Sequence, residues 1–273
     1  MTGRELQMFW NDSLSSVYEP SEAQQLLRMW LEDVHEVSRM EWISSADREV
    51  HFDVENVLER LQKGEPIQHI IGFAYFMDMK FQVNSDVLIP RPETEDLVRW
   101  LVDHLPEGSR VLDIGTGSGC IAITLKKYRP DLELTALDVS VDALKVARNN
   151  AKELAVEVRF IEHDILSGLP PGDWDAIVSN PPYIEEKERP GMSKNVVDFD
   201  PNLALFVPDG RPELFYEEIS KVAASMPSRP WLAFECHINH TQKVAQIMRD
   251  YGWKGLEILD DITERPRFVI GRS

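Results

Sequence analysis

The sequence predicts an α/β fold built on a largely parallel sheet, preceded by a small all-helical region. Three observations predict it. From about Gly108 onward, short apolar runs alternate with amphipathic stretches of helical period, the pattern of parallel strands joined by crossover helices. Three glycines, Gly115, Gly117 and Gly119, stand between the first of these strands and its helix. Before residue 65 the apolar residues recur only at helical spacing.

In chain order, "SEAQQLLRMWLEDV" opens with Ser21 after Pro20, which predicts an N-cap, and sets Leu26, Leu27, Trp30, Leu31 and Val34 on one stripe. "HFDVENVLERLQKG" repeats the device with Phe52, Val54, Val57, Leu58 and Leu61 and ends at Gly64. These stripes predict a helical-bundle domain over residues 1–75. Residues 1–80 hold 7 Lys/Arg against 15 Asp/Glu, a net charge of −8, which suits docking of a basic protein partner. Aromatic and β-branched residues then dominate "GFAYFMDMKFQVNSDVLIPRPETE" and predict a hairpin around Met77–Lys80 within a connector over 76–90. Pro90 and Pro92 close the connector, and Thr94 is the expected start of the helix "TEDLVRWLVDHL".

The α/β domain is expected over 91–273. Its strands are "RVLDIG", "ELTALDV", "VRFIEHDI", "WDAIVSN", "WLAFEC", "GLEILDD" and "RFVIG", the last two close enough in sequence to pair antiparallel. Its helices are "CIAITLKKY", "SVDALKVARNNAKEL" with Ser140 as N-cap, "PELFYEEISKVAAS" and "QKVAQIMRDYG".

With 273 residues, 43% of them hydrophobic, the chain buries a sizeable core. No run of about 18 apolar residues predicts a membrane span, and the N-terminal "MTGRELQMFWNDSL" lacks the layout of a secretory signal. Two cysteines, Cys120 and Cys236, exclude a disulfide scaffold and fit a reducing cytoplasm. The net charge of −18, with no Lys/Arg-rich run, argues against a nucleic-acid partner.

Gly115-Thr116-Gly117-Ser118-Gly119 allows a tight turn and close approach of backbone to a ligand. Cys120 stands where a dinucleotide fingerprint wants glycine, and no phosphate-binding lysine follows, so the loop suits a smaller nucleoside. Asp138 ends the second strand, placed to accept hydrogen bonds from ribose hydroxyls. Asp164 ends the third, placed to reach an adenine amino group with Ile165 against the ring. Turn glycines and helix-capping aspartates explain each feature singly. Their recurrence at successive strand ends, where open α/β sheets bind ligands, points to a nucleoside site.

The fourth strand ends in Asn180-Pro181-Pro182-Tyr183. Two prolines remove two backbone donors, and the loop offers carbonyls and the Asn180 amide oxygen as acceptors. Acceptors hold both hydrogens of a planar –NH2 group, and Tyr183 supplies a flat face for it. This pattern points to methyl transfer from S-adenosylmethionine to an amino nitrogen, a reaction that needs position and orientation more than acid or base. Asn180 cannot take the proton, which is expected to pass to water.

"GTGSG" with "NPPY" resembles the amino-methyltransferases that act on adenine, guanine or glutamine amides. "GEPIQHIIG", "VLIPRPETE" and "NPPYI" together resemble the peptide chain release factor glutamine methyltransferase family over nearly the whole chain. The resemblance implies a Rossmann-like seven-stranded methyltransferase sheet, S-adenosylmethionine as cofactor with S-adenosylhomocysteine as product, and methylation of the side-chain amide nitrogen of the glutamine in the Gly-Gly-Gln motif of release factors. It implies a cytoplasmic, monomeric enzyme without a metal. By position it implies cofactor binding at Gly115, Thr116, Gly117, Ser118, Gly119, Asp138, Asp164, Ile165 and Asn180. Catalysis falls on Asn180, Pro181 and Tyr183. Substrate binding falls on Asn180, Pro181, Pro182 and Tyr183, with Arg91 and Glu93 of "PRPETE" beside them; an ion pair at the start of the helix is the other reading of Arg91.

Two places depart from the family pattern. Cys236 replaces a small residue after "LAFE", and Arg211-Pro212 is an insertion in "VPDGRPELFY". Cys236, His237 and His240 offer too few ligands for structural zinc, and a strand-to-helix loop is the better reading. Cys120 reads as a packing residue rather than a reactive thiol. The rival functions are a DNA N6-adenine or RNA guanine-N2 methyltransferase, and a non-catalytic cofactor-binding interaction protein.

Overall fold

A computed structural model describes residues 1–272. The chain divides into two compact units. One holds Met1–Phe73 with Ser193–Phe199, the other Ala74–Met192 with Asp200–Ser273.

The helical unit is built from α1 (Gly3–Leu14), α2 (Pro20–His35), α3 (Arg39–Ser44), α4 (Glu55–Gln62) and α5 (Ile67–Ile71). Thr2 caps α1 and Ser38 caps α3, each in a reciprocal capping box with the glutamate three residues on. Leu6, Trp10, Leu14, Leu27, Trp30, Leu31, Val57, Leu58 and Leu61 form one core. The predicted stripe on α2 is narrower than its spacing suggested, since Val34 is exposed and Leu26 only half-buried. Ser21 does not cap α2. Pro20 occupies the first helical turn and Glu19 takes the N-cap position, because proline's fixed φ and missing N–H suit that turn. Phe52 precedes α4, which Val54 opens.

β1 (Phe73–Phe76) and β2 (Met79–Gln82) form the predicted hairpin. Its two-residue turn, Met77-Asp78, has φ of +45° and +61°, matching the twist of paired strands. α6 (Pro92–His104) starts at Pro92 with Arg91 at the N-cap, not at Thr94, whose hydroxyl is engaged elsewhere.

Next come β3 (Arg110–Ile114), α7 (Cys120–Tyr128), β4 (Glu133–Asp138), α8 (Val141–Glu153), β5 (Arg159–Glu162), β6 (Ala176–Ser179), β7 (Ile184–Glu185), α9 (Lys194–Phe199), α10 (Asn202–Leu205) and β8 (Phe206–Val207). The chain ends with α11 (Leu214–Ala224), β9 (Trp231–Glu235), α12 (Thr241–Asp250), β10 (Lys254–Asp260) and β11 (Pro266–Arg272). The seven predicted strands form one sheet in the order β10-β11-β9-β6-β3-β4-β5. The pairs around β3 are parallel, while β11 runs antiparallel to both β9 and β10. Strand order reverses at β3, so β4 and β6 flank it and the ends of all three open on one crevice.

Residues alternate between the sheet's two faces. Val111, Leu134, Val178, Ala233 and Ile270 pack with α6 and α7, and Leu112, Leu137, Ile177, Phe234 and Val269 with α11 and α12. Asn150 of α8 is fully buried and makes three hydrogen bonds. Its oxygen accepts from Gln82 N (2.7 Å), and its nitrogen donates to Gln82 O (3.0 Å) and Ser118 O (2.9 Å). One amide thus joins the hairpin, α8 and the glycine loop.

Candidate active site

A cavity of about 250 Å³ lies at the carboxyl ends of β3 to β6. Gly115, Gly117, Asp138, Asp164, Ile165, Asn180, Pro181 and Pro182 all line it. The glycine loop turns by positive φ at Gly115 (+71°), Gly117 (+55°) and Gly119 (+83°), the left-handed region that other residues avoid. A Cβ built on Gly115 or Gly117 would meet nothing within 4 Å, whereas one on Gly119 would lie 2.7 Å from Ile123 Cδ1. The first two glycines therefore leave room for a ligand, and the third lets the loop close against α7.

Four loop amides are satisfied within the chain. Gly115 and Thr116 donate to Leu137 O (2.9 and 3.0 Å), Gly117 to Asp138 Oδ2 (2.9 Å) and Gly119 to Thr116 O (2.8 Å). A pyrophosphate cradle needs such amides free. These four amides are therefore not available as such a cradle.

Asp138 is nearly buried, and its other oxygen accepts from Ser140 N (2.9 Å). Burial pushes its carboxyl up, and the amides of Ser140 and Gly117 pull it back. Each carboxylate oxygen retains a lone pair for a hydroxyl donor. Asp164 is exposed and accepts from Leu166 N (2.9 Å), opening a short 3-10 turn in which Ile165 is buried. Thr116 and Ser118 are buried, Thr116 donating to Asp113 Oδ2 (2.6 Å). They support the loop from beneath and are not on the cavity wall.

Asn180 follows β6 directly, and its side chain makes no hydrogen bond to any described residue. Ser179 anchors the strand end by donating to Ile114 O (2.7 Å). Pro181 is buried and Pro182 half-buried. Tyr183 packs against the core beside His237, ring centroids 5.7 Å apart, and burial pushes its phenol up. The polar amide is thus held by a stiff loop and left unpaired at the cavity.

Residues 94–198 match the Methyltransferase small domain family, and residues 5–72 match the PrmC N-terminal domain family. The chain is 39% identical over 265 residues to the release factor glutamine methyltransferase of Bacteroides thetaiotaomicron, covering 94% of this chain and 95% of that one. It is 36% identical over 268 residues to the release factor glutamine methyltransferase of Flavobacterium psychrophilum, covering 94% of each. The chain belongs to the release factor glutamine methyltransferase family. A crystal structure of a methyltransferase from Pyrococcus furiosus shares the fold at a TM-score of 0.55 and 18% identity, over 79% of this chain and 97% of that one.

In this member of the release factor glutamine methyltransferase family, Arg91 and Glu93 do not line the cavity. Arg91 Nη2 pairs with Asp200 Oδ2 at 2.8 Å, 109 residues away. The connector contributes Asp86, Val87 and Leu88 to the wall instead, and Pro201, Leu203, Ala204 and Phe215 complete it. Sequence reasoning assigned none of these. The "VLIP" motif was the one signal pointing to Val87 and Leu88, while Pro201 and Phe215 carry no local mark. Around Cys236 the histidines serve the loop: His237 Nδ1 accepts from Asn239 N (3.3 Å), and His240 Nδ1 lies 3.2 Å from Glu213 Oε1. No group of three or more His, Cys, Asp or Glu among the described residues is placed to hold a metal. Burial pushes the Cys120 thiol up to about 12, against a reactive thiolate.

Two further carboxyls are buried at the carboxyl ends of β3 and β9. Asp113 has one oxygen without a partner, and Glu235 accepts from Thr94 Oγ1 at 2.6 Å. Burial raises both to about 7; for Glu235 the Thr94 bond and Arg267 oppose the rise. Each keeps a proton in the fold that the unfolded chain has released. Their contribution to stability is therefore complete below the ordinary carboxyl range and is lost as pH rises through about 7. Glu235→Gln cannot ionise and keeps the acceptor for Thr94. Its unfolding free energy, measured in urea, should fall less than the parent's between about pH 5 and about pH 8. An identical fall in both proteins would contradict this account of Glu235.

Proposed function

We propose that the chain methylates the side-chain amide nitrogen of the glutamine in the Gly-Gly-Gln motif of peptide chain release factors, using S-adenosylmethionine. The observation that carries the reading is the unpaired Asn180 amide, held by a donor-poor loop on the same cavity as the glycine loop and the two strand-end acids. The room over Gly115 and Gly117, the lone pairs of Asp138 and Asp164, and the apolar Ile165 fit an adenosyl group. Bound there, S-adenosylmethionine supplies a sulfonium methyl already activated for transfer, and S-adenosylhomocysteine remains afterwards.

The chain's own residues supply orientation. Asn180 Oδ1 and the carbonyls of its loop accept both hydrogens of the substrate –NH2, which turns its lone pair toward the cavity. Positive charge develops on that nitrogen as it is alkylated, and the acceptors stabilise it more than the neutral amide. Asn180 has no site for the released proton, which passes to water. Tyr183, packed beside His237 and off the cavity wall, steadies the loop that carries Asn180. The helical unit, acidic through its sequence, is assigned the docking of the protein substrate.

The curated relatives carry release factor glutamine methyltransferase names, which favours an amide over the amino groups of DNA or RNA bases. The test is incubation with methyl-labelled S-adenosylmethionine and, separately, whole release factor, a short Gly-Gly-Gln peptide, DNA and RNA, followed by mass mapping. Label on the glutamine, with whole factor preferred over peptide, is expected. Label on a base, or on nothing, would overturn the reading.

A further inference from the structure

We propose that the Arg91–Asp200 ion pair is a latch that positions the Pro201–Ala204 wall of the cavity and so sets how long the nucleoside cofactor stays bound. The proposal rests on the reading of the cavity as the S-adenosylmethionine site.

The segment that forms this wall has little intrinsic stability. α10 spans only Asn202–Leu205, far shorter than a helix that holds itself together in water. Leu203, on the cavity wall, is 59% exposed, so burial does not fix it either. Its position must come from pins at its ends. At the carboxyl end the pins are plain. β8 pairs with β7 in parallel register, Ile184 opposite Phe206, and β7 follows Tyr183 directly. Arg189 reaches both ends, its guanidinium 4.0 Å from the Phe206 ring centroid and its Nη1 donating to Asn202 Oδ1 (2.9 Å) at the start of α10. The wall and the Asn180–Tyr183 loop are thereby parts of one connected piece.

At the amino end the second pin, and the buried one, is Asp200. The chain reaches it from Ser193–Phe199, residues that cluster with the helical unit, so Asp200 is where the chain re-enters the catalytic unit. Asp200 is 6% exposed, and its Oδ1 has no hydrogen-bond partner. A carboxylate this buried is tolerated only with a countercharge, and removing the partner leaves an uncompensated charge. Arg91, at the N-cap of α6, supplies that countercharge. The pair thus fixes the wall from a rigid helix start, and Arg91 acts on the cavity through Asp200 rather than by lining it.

The test measures binding and release of S-adenosylhomocysteine, with thermal melting in parallel, for the full chain and for Arg91→Ala, Arg91→Lys, Asp200→Asn and the double variant Arg91→Ala/Asp200→Asn. Loss of the latch should raise the dissociation constant about tenfold, through faster release, in Arg91→Ala and in Asp200→Asn. The double variant should be no weaker than either single, since both remove one interaction. Arg91→Lys should restore binding to within about threefold of the parent. In Asp200→Asn the KM for S-adenosylmethionine should rise with the dissociation constant, with kcat changed less than about twofold at saturating cofactor. Unchanged binding in all variants overturns the latch. So does a fall in kcat with cofactor binding intact, which would make Arg91 a substrate contact. Additive losses that follow the melting temperature also overturn it, because they would mark a purely structural pair. A parent chain that binds no S-adenosylhomocysteine would overturn the cofactor reading itself, and the latch with it.

Discussion

Replacing Asn180 by alanine is expected to lower kcat by about 100-fold or more while leaving cofactor affinity within about threefold. The two effects separate because of where Asn180 stands. Its side chain makes no bond to any described residue, so the substitution removes no internal support. Ser179 still holds the strand end through Ile114 O, and Pro181 and Pro182 still fix the loop. What is lost, on the proposed reading, is the acceptor that meets a nitrogen gaining positive charge, an interaction stronger in the transition state than before it. Single-turnover methylation beside calorimetry with S-adenosylhomocysteine checks the split. Normal turnover would show that orientation by this amide is not the source of the rate.

Asp138→Ala is expected to weaken cofactor binding by about 1–3 kcal/mol, roughly fivefold to 150-fold. Two origins are superposed. On the proposed reading the carboxylate offers lone pairs to ribose hydroxyls, and it also holds Gly117 N and Ser140 N, each at 2.9 Å. An analogue of S-adenosylhomocysteine lacking the ribose hydroxyls divides them. The parent should bind the analogue more weakly than the natural product, and Asp138→Ala should discriminate far less between the two. If the variant keeps the parent's full preference for the hydroxylated ligand, the ribose assignment fails and only loop support remains for Asp138.

The strands were legible because each is an apolar run between turn residues, and the strand-end acids because their positions follow from the strands. The cavity's glycines and Asn180 belong to contiguous motifs whose meaning is local. Residues whose role depends on distant partners were not legible. Thr94 carries every mark of a helix start, yet its hydroxyl belongs to Glu235, 141 residues on. Arg91 reads equally as ligand contact or ion pair until Asp200 appears beside it. Ser21 lost the cap of α2 to a competition one residue upstream, where Pro20 fits the first turn better than a serine fits outside it. Pairings across the fold leave no trace in spacing, and only the folded chain decides them.

The shared amide of Asn150 bears on how this protein can be divided. A fragment beginning at the helix after the connector would discard Gln82, stranding two of the three bonds of a fully buried side chain that also grips the glycine loop at Ser118 O. Any chimaera that exchanges residues 1–73 should therefore be joined ahead of the hairpin, near residues 73 and 74, the first of the boundaries between the two units. The hairpin is then inherited with the α/β unit. Because Ser193–Phe199 also clusters with the helical unit, the chain passes between the units again after Met192 and after Phe199, and an exchange has to respect those two boundaries as well.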